Sequence, residues 1–284
     1  MSKATSRPTL GGRAWLSYLV KGALALFFRF PVAIMVIGSF KPNTTVITDQ
    51  TSMRAFDPRP FQGLDNYSSA ADTGSYFTSL RVSLIVSTVV VVGGLFVNSL
   101  FGYALARLRF GGQRILLGLV VALIIIPFEA LAVPLLLMMS EIGWTNTIRA
   151  QYLPFIAQPL YIFLFYSFFK GLPTELEEAA TIDGAGPYRT FFSVIFPLAR
   201  PAYASAAILT FLYSWGQFLW PVMIARTEDV RPLPIGLTFF RGTPPFAWAD
   251  LLAYATMMVL PVVIVFVIFQ RHFIEGVASS GLKG

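Results

Sequence analysis

The sequence predicts an all-α membrane protein with six transmembrane helices, and the composition and the spacing of apolar stretches carry this prediction. Of the 284 residues, 56% are hydrophobic and 12% are charged, and the charged share is about half that of an average soluble domain. A helix needs about 20 mainly apolar residues to cross a bilayer. We expect one transmembrane domain over residues 17–270, flanked by tails at 1–16 and 271–284. Its six spans are residues 17–39, 82–104, 114–138, 151–170, 202–224 and 249–270.

The distribution of lysine and arginine indicates the orientation, because six spans place both termini on the same side of the membrane. With cytoplasmic termini, 12 of the 21 Lys and Arg residues lie on inner segments and 8 on outer segments. The cluster of Arg107, Arg109 and Arg114 at two span ends gives the strongest support. Arg29 lies within the first span, where it could snorkel inward or pair with an acidic residue of a partner subunit. The segment 171–201 then faces the cytoplasm.

The residue types exclude several kinds of chemistry. The chain has no cysteine and one histidine, His272, which excludes disulfides, thiolate nucleophiles and cysteine-based metal sites and gives no basis for an all-protein zinc site. The sequence shows no paired carboxylates and no serine- or cysteine-based triad, so we predict no catalytic residues and no enzyme activity. The net charge of +7 is scattered between apolar stretches, which argues against nucleic-acid binding.

A polar interruption lies between the fourth and fifth predicted spans, within residues 171–201. Thr174 followed by Glu177 is the pattern of a capping box, and the acidic residues of this first turn suit the positive end of a helix dipole. Gly184 is placed to end the helix in a left-handed conformation. Pro187 then opens a second helix, because proline is tolerated at the first helical position. The segment is predicted to be two short helices joined by a glycine turn.

Each of these short helices carries an apolar strip. In the first helix, Leu176, Ala179 and Ala180 share one face. In the second, which Pro197 ends, the strip consists of Tyr188, Phe191, Phe192 and Ile195. An acidic helix pair in an apolar chain suits docking to a soluble protein. An ordinary cytoplasmic loop with interfacial helices is the alternative that periodicity leaves open.

The same segment resembles the coupling-loop signature of ABC-importer permeases. That signature reads Glu-Ala-Ala, three residues, Gly, nine residues and then Ile-x-Leu-Pro. Here it stands as Glu178-Ala179-Ala180, Gly184 and Val194-Ile195-Phe196-Pro197. The two replaced positions, Val194 and Phe196, remain apolar.

The resemblance extends along most of the chain, to the carbohydrate-importer permeases related to the second permease subunit of the maltose system. Gly216 departs from that pattern, because the family usually has asparagine there, and a contact at this position is expected to differ. The matching segments are Ser39-Phe40-Lys41-Pro42, Leu64-Asp65-Asn66-Tyr67, Tyr103 to Phe110, Gly143 to Thr147, Trp215 to Pro221 and Gln270 to Gly276.

The resemblance implies a permease subunit of an ATP-driven, binding-protein-dependent importer that moves a sugar across a bacterial or archaeal cytoplasmic membrane by alternating access. It implies a homologous second permease in a heterodimer, two cytoplasmic ATPases and an extracytoplasmic sugar-binding protein. The ATPases would bind ATP and Mg and this chain no cofactor, in keeping with a sequence that lacks a G-x-x-x-x-G-K-[ST] phosphate loop. The residues expected to couple to the ATPase are Glu178, Ala179, Ala180, Asp183, Gly184 and Pro197.

Other functions stay open at this stage. A permease of the same type could carry a phosphorylated polyol or a polyamine. An ion-coupled secondary transporter would show discontinuous helices and buried ionisable sites. A membrane-anchored assembly factor would carry no solute.

Four membrane-embedded residues are candidates for lining the substrate pathway. An acidic side chain such as Glu129 within a span is costly, about 2.5–3.5 kcal/mol for Asp on insertion scales, and is usually functional; a structural hydrogen bond or an interfacial position is the alternative. Asn98 has a glycine four residues before and after it, a spacing that favours close helix packing. Gln217 and Trp220 offer hydrogen-bonding and aromatic surfaces that suit a sugar, but such residues also occur at membrane interfaces.

Overall fold

The computed structural model describes residues 12–242 and 246–281, and the regular structure in these ranges is helical. The predicted all-α class is confirmed. Parts of the two predicted tails, residues 1–11 and 282–284, lie outside the described ranges. In chain order the helices are α1 Gly12–Gly38, α2 Asn43–Asp49, α3 Asp65–Thr73, α4 Tyr76–Arg107, α5 Gln113–Ile125, α6 Phe128–Glu141, α7 Ile148–Tyr152, α8 Pro159–Lys170, α9 Glu175–Ile182, α10 Pro187–Leu198, α11 Arg200–Trp215, α12 Leu219–Ile224, α13 Leu233–Gly236 and α14 Trp248–Gly281.

Several helices are long and apolar enough to cross a membrane. Within the described ranges, four segments meet this condition alone, and they correspond to the first, second, fourth and sixth predicted spans: Trp15–Gly38, Tyr76–Arg107, Ile148–Lys170 and Trp248–Phe269. Two bent pairs meet it only when their halves are combined, namely α5 with α6 and α10 with α11. The chain therefore has four to six candidate spans, and the count of six stays a prediction.

The third predicted span, residues 114–138, is not one helix. Its two halves, α5 and α6, are bent by 104° at the break between them. Pro127 explains the break, because proline has no N–H for the helix ladder and forces the residue before it out of the helical region. Ile126 is accordingly extended, with φ −76° and ψ 116°. The third predicted span is therefore broken, and the break places Glu129 in the first turn of α6.

The fifth predicted span, residues 202–224, is also interrupted. α11 ends at Trp215, and the N–H of Gly216 closes it by donating to the carbonyl oxygen of Leu212 at 3.1 Å. α12 begins only at Leu219. Residues 216–218 between α11 and α12 are therefore not helical. Non-helical backbone at membrane depth is tolerated only where it is buried in protein or lines a cavity.

The described chain forms two compact units, and the first comprises residues up to Asp72 together with 240–257. Buried polar contacts hold this unit together. Lys41 is 1% exposed and donates from Nζ to Oδ2 of Asp49 at 2.8 Å and to the carbonyl oxygen of Arg54 at 2.6 Å. Asn66 donates to the carbonyl oxygens of Ser39 and Lys41, both at 2.8 Å. Two of the matching motif segments are therefore in direct contact.

A second group of polar contacts in this unit involves the start of α14. Buried Asp250 accepts a hydrogen bond from Oγ of Ser69 at 2.6 Å and one from Nδ2 of Asn43 at 3.3 Å. Oδ1 of Asn43 accepts from the N–H of Ala249 at 2.7 Å. Asn43 therefore ties the segment after α1 to the first turn of α14.

The second unit comprises residues 73–239 and 258–281, and α4 is its central helix, packed against α8 and α11. Close packing depends on small residues of α4. A Cβ on Gly102 would lie 2.7 Å from Cβ of Phe165 and 2.9 Å from the carbonyl oxygen of Ile162. A Cβ on Gly94 would lie 3.3 Å from the carbonyl oxygen of Ile156. The predicted packing role of this stripe of small residues is confirmed.

Candidate functional site

A wide groove of about 1110 Å³ opens in the second unit between α5, α6, the segment before α8 and the junction of α11 and α12. Most of its wall is apolar, including the rings of Phe128, Phe155 and Phe218. A few polar side chains interrupt this wall: Glu129, Gln158, Tyr161, Tyr213 and Gln217. An apolar cleft with a small number of placed polar groups is typical of ligand-binding sites.

The groove brings together Glu129 and Gln217, two candidates from different predicted spans. Helix breaks position both of them: Glu129 follows the break at Pro127, and Gln217 lies in the turn after α11. Gly216, where the sequence departs from the family pattern, also lines the groove. Its φ of −85° does not require glycine, and a Cβ there would lie 3.3 Å from the carbonyl oxygen of Leu212.

Tyr213 links the polar groups of the groove. Its side chain interacts with those of Gln217, Tyr161 and Glu129. Tyr161 in turn interacts with the side chain of Thr210. Tyr213 thus connects three of the other polar groups of the groove, and Gln158 lies outside this set.

Trp220 does not line the groove in this structure. It is 1% exposed, and its Nε1 donates to the carbonyl oxygen of Ala150 at 2.9 Å. Its ring packs edge-on against Phe128 and Phe155, at centroid distances of 6.1 and 6.3 Å. Because these two phenylalanines form part of the wall, Trp220 supports the groove from behind.

Asn98 is likewise buried, and its side chain hydrogen-bonds with backbone groups. Its Nδ2 donates to the carbonyl oxygen of Ile156 at 3.0 Å, and its Oδ1 accepts from the N–H of Gln158 at 2.9 Å. These bonds fix the turn that precedes α8. Asn98 therefore positions Gln158 in the groove without reaching the groove itself.

The polar interruption folds as two short helices joined by the predicted glycine turn. Gly184 has φ +76°, and its N–H donates to the carbonyl oxygen of Thr181 at 3.0 Å. The N–H of Ala185 donates to the carbonyl oxygen of Ala180 at 2.9 Å. This pair of bonds is the Schellman motif, in which a residue with positive φ ends a helix. Pro187 begins α10, as expected.

The predicted capping box is wrong. Thr174 is helical, with φ −72° and ψ −25°, and its side chain makes no capping hydrogen bond. Its carbonyl oxygen instead accepts from the N–H groups of Glu177 and Glu178, at 3.0 and 3.1 Å. The side chain of Glu177 is directed to a cation from another helix.

That cation is Arg107, at the end of α4. Its Nη2 donates to the carbonyl oxygen of Leu172, and its Nε lies 3.6 Å from Oε1 of Glu177, with side-chain exposures of 7% and 21% for the two residues. Tyr103 interacts with the same carboxylate. Sequence reasoning assigned Arg107 only to membrane orientation. The position of this arginine beside an acidic cytoplasmic segment was the signal that could have indicated the pair.

The predicted coupling residues differ in exposure. Ala180 is 7% exposed and faces the interior of its own subunit, so it is not available on the outer surface of α9. The other five are exposed: Glu178, Ala179, Asp183, Gly184 and Pro197.

The predicted apolar strip of the second helix is divided between two faces. Phe191 and Ile195 are buried in the core of the unit, whereas Tyr188 is 79% exposed and Phe192 is 49% exposed. A π-helical turn at Phe191–Ile195 shifts the register just before Pro197, whose missing N–H would break the regular ladder. The helix ends one residue after this proline.

Comparisons with known proteins agree with this arrangement. The family described as "Binding-protein-dependent transport system inner membrane component" matches residues 98–279. The arabinooligosaccharides transport system permease protein of Halalkalibacterium halodurans is 38% identical over 95% of this chain and 97% of its own length. The trehalose/maltose transport system permease protein of Thermococcus litoralis is 29% identical over 94% of this chain and 96% of its own.

A solved structure shares the fold. It is a bacterial ABC transporter involved in the import of the acidic polysaccharide alginate, and the matching chain has a TM-score of 0.81. The match covers 95% of this chain and 100% of that chain, at 21% sequence identity.

Proposed function

The chain belongs to the family of binding-protein-dependent transport system inner membrane components, and on that premise we propose that it is one permease subunit of an ATP-driven importer for an oligosaccharide. The observation that carries the sugar assignment is the match along nearly the whole chain to a permease for arabinooligosaccharides. The groove supports it, because aromatic walls suit the apolar faces of sugar rings, and amides and tyrosine hydroxyls suit their hydroxyl groups.

In this proposal the groove is part of the substrate pathway. Glu129 and Gln217 contact the passing solute, while Asn98 and Trp220 hold the wall that carries the polar groups. The third and fifth predicted spans, which both contribute to the groove, are broken, and unwound backbone at membrane depth is tolerated where it lines a cavity. We count α5 with α6 as one span and α11 with α12 as another, which gives six spans and two cytoplasmic termini.

The α9–α10 pair is the proposed docking element for a cytoplasmic ATPase that binds ATP and Mg. The exposed Ile182, Tyr188 and Phe192 support this role, since large apolar side chains on a cytoplasmic surface mark a protein contact. Arg107 connects α4 to the start of α9, and α4 packs against the helices of the groove. Movement of the docked α9–α10 pair would therefore be transmitted through α4 to the helices of the groove. The groove would then open in turn to the outer and the inner side of the membrane. A homologous, non-identical second permease and an extracytoplasmic binding protein complete the importer.

Uptake of a defined sugar tests the function. Proteoliposomes that contain the full importer with its binding protein are expected to accumulate labelled arabinotriose only when ATP is supplied inside. The matched control contains every component except this chain. Uptake driven by an ion gradient without the ATPase would instead indicate a secondary transporter. A binding protein that binds only a polyamine or a phosphorylated polyol would exclude the sugar assignment.

Arg107→Met should weaken the coupling between ATP hydrolysis and uptake. Methionine preserves much of the side-chain length but leaves the Leu172 carbonyl without its donor and Glu177 without its cation, a loss of about 1–3 kcal/mol. We expect sugar-stimulated ATP hydrolysis to fall severalfold, as measured in proteoliposomes. Arg109→Met is the control, because Arg109 is exposed in the same basic cluster. Equal activities of the two variants would contradict the role of the Arg107 contacts.

A further inference from the structure

The groove has one charged side chain among its lining residues. Glu129 is exposed to the groove, and the other polar groups of the wall, the amides of Gln158 and Gln217 and the two tyrosine hydroxyls, are neutral. No lysine, arginine or histidine is among the residues that line it. None of the ion pairs formed by the described residues includes Glu129. The charge of this carboxylate is therefore not cancelled by a neighbouring cation in the groove.

The position of Glu129 on its helix suits a negative charge. The residue lies in the first turn of α6, a helix of 14 residues, and negative charge is stabilised at the positive end of a helix dipole. Glu129, Tyr213 and Gln217 line the same groove, and the carboxylate interacts electrostatically with Tyr213, which also interacts with Gln217. A charge placed between apolar walls is screened less than one on an open surface.

We infer that Glu129 gives the groove a charge selectivity: it admits neutral and positively charged saccharides and rejects anionic ones. The inference rests on the proposed function, in which the groove is the substrate pathway. It makes Glu129 a specificity-determining residue and defines the cargo as an uncharged or amino sugar rather than a uronate or a phosphorylated sugar. Gln217, linked to Glu129 through Tyr213, is a suitable position at which to measure this selectivity.

A thiol-reaction experiment tests the selectivity without any sugar, because the chain contains no cysteine. Gln217→Cys is introduced alone and together with Glu129→Gln, and each chain is assembled into the complete importer with cysteine-free partners in nanodiscs. The thiolate attacks the sulfenyl sulfur of a methanethiosulfonate, forming a mixed disulfide and releasing methanesulfinate. The rates with the cationic trimethylammonium-ethyl reagent and the anionic sulfonatoethyl reagent are measured, and each is divided by its rate with 2-mercaptoethanol.

With Glu129 present, the normalised ratio of cationic to anionic rates is expected to be on the order of 10, and Glu129→Gln should lower it to about 1. Ser68→Cys is the control: Ser68 is exposed on α3 and is not among the residues that line the groove, so its ratio should not respond to Glu129→Gln. An unchanged ratio at position 217, or no reaction with either reagent there, would overturn the inference. Arabinotriose uptake by the wild-type importer would still decide the proposed function separately.

Discussion

Replacing Gly102 with leucine is expected to abolish the folded permease, and Gly102→Ala is expected to destabilise it measurably. The added Cβ would lie 2.7 Å from Cβ of Phe165, 2.9 Å from the carbonyl oxygen of Ile162 and 2.9 Å from the N of Tyr166. Two of these atoms are backbone of α8, so the two helices must separate. Overpacking by a methyl group costs about 1–3 kcal/mol. Replacing glycine by alanine in a helix gains about 0.8–1.0 kcal/mol in helix propensity, so the net effect of Gly102→Ala is a loss of stability.

Gly93→Ala on the same helix is the matched control. Its added Cβ would lie 3.4 Å from Cδ1 of Ile156, the flexible end of a side chain, so the gain in helix propensity should dominate. Thermal unfolding of the detergent-solubilised complex, followed by fluorescence-detected chromatography, should place the midpoint of Gly102→Ala several degrees below that of Gly93→Ala. A midpoint for Gly102→Ala equal to that of Gly93→Ala would show that α4 and α8 can adjust without cost.

The small stripe on α4 could be predicted because its signal is local. Three small or polar residues four positions apart define one helix face, and a helix face of that kind has few structural uses other than close approach. The glycine turn at Gly184 could be predicted for the same reason. Its conformation depends on one residue and on the hydrogen bonds of its own helix.

The groove could be predicted only in part, because its residues come from separate segments. Glu129 and Gln217 were identified as polar residues within spans, but their proximity depends on two helix breaks. The break at Pro127 had a sequence signal in the proline itself. The span was nevertheless assigned from the apolar residues on both sides of this proline. The break after Trp215 begins at Gly216, whose φ is ordinary for any residue, so the sequence carried no comparable signal there.

Tertiary contacts also explain the predictions that differ from the structure. Thr174 and Glu177 fit a capping box by spacing, but Arg107 attracts the Glu177 side chain toward α4. The interaction with a cation in another helix thus replaces a local hydrogen bond. Trp220 fits a sugar-contacting residue by type, but its indole N–H has a buried acceptor in the carbonyl of Ala150. In both cases the residue type indicated that the side chain would form a polar contact. The partner lies far away in the sequence, so a local sequence pattern could not identify it.

Gly184→Val is expected to reduce association with the ATPase about tenfold. Valine at φ +76° costs roughly 1–2 kcal/mol because its Cβ approaches the following carbonyl oxygen, and a difference of 1.4 kcal/mol corresponds to a factor of ten in affinity. The strain would open the Schellman bonds at Thr181 and Ala180 and change the angle between α9 and α10. Titration of the purified permease pair with the ATPase would measure the change.

Gly186→Val is the matched control, which separates the effect of backbone strain from the effect of a larger side chain. Gly186 is exposed two residues away and has φ −76° and ψ 171°, which valine before a proline adopts readily; a Cβ at either glycine meets nothing within 4 Å. Both variants add the same side chain to the same exposed turn, and only Gly184→Val forces a left-handed backbone. Weak binding by Gly184→Val alone would mean that the ATPase recognises the angle of the helix pair. Equal loss in both variants would mean that the turn surface itself is the contact, and unchanged affinity in both would remove the α9–α10 pair from the docking site.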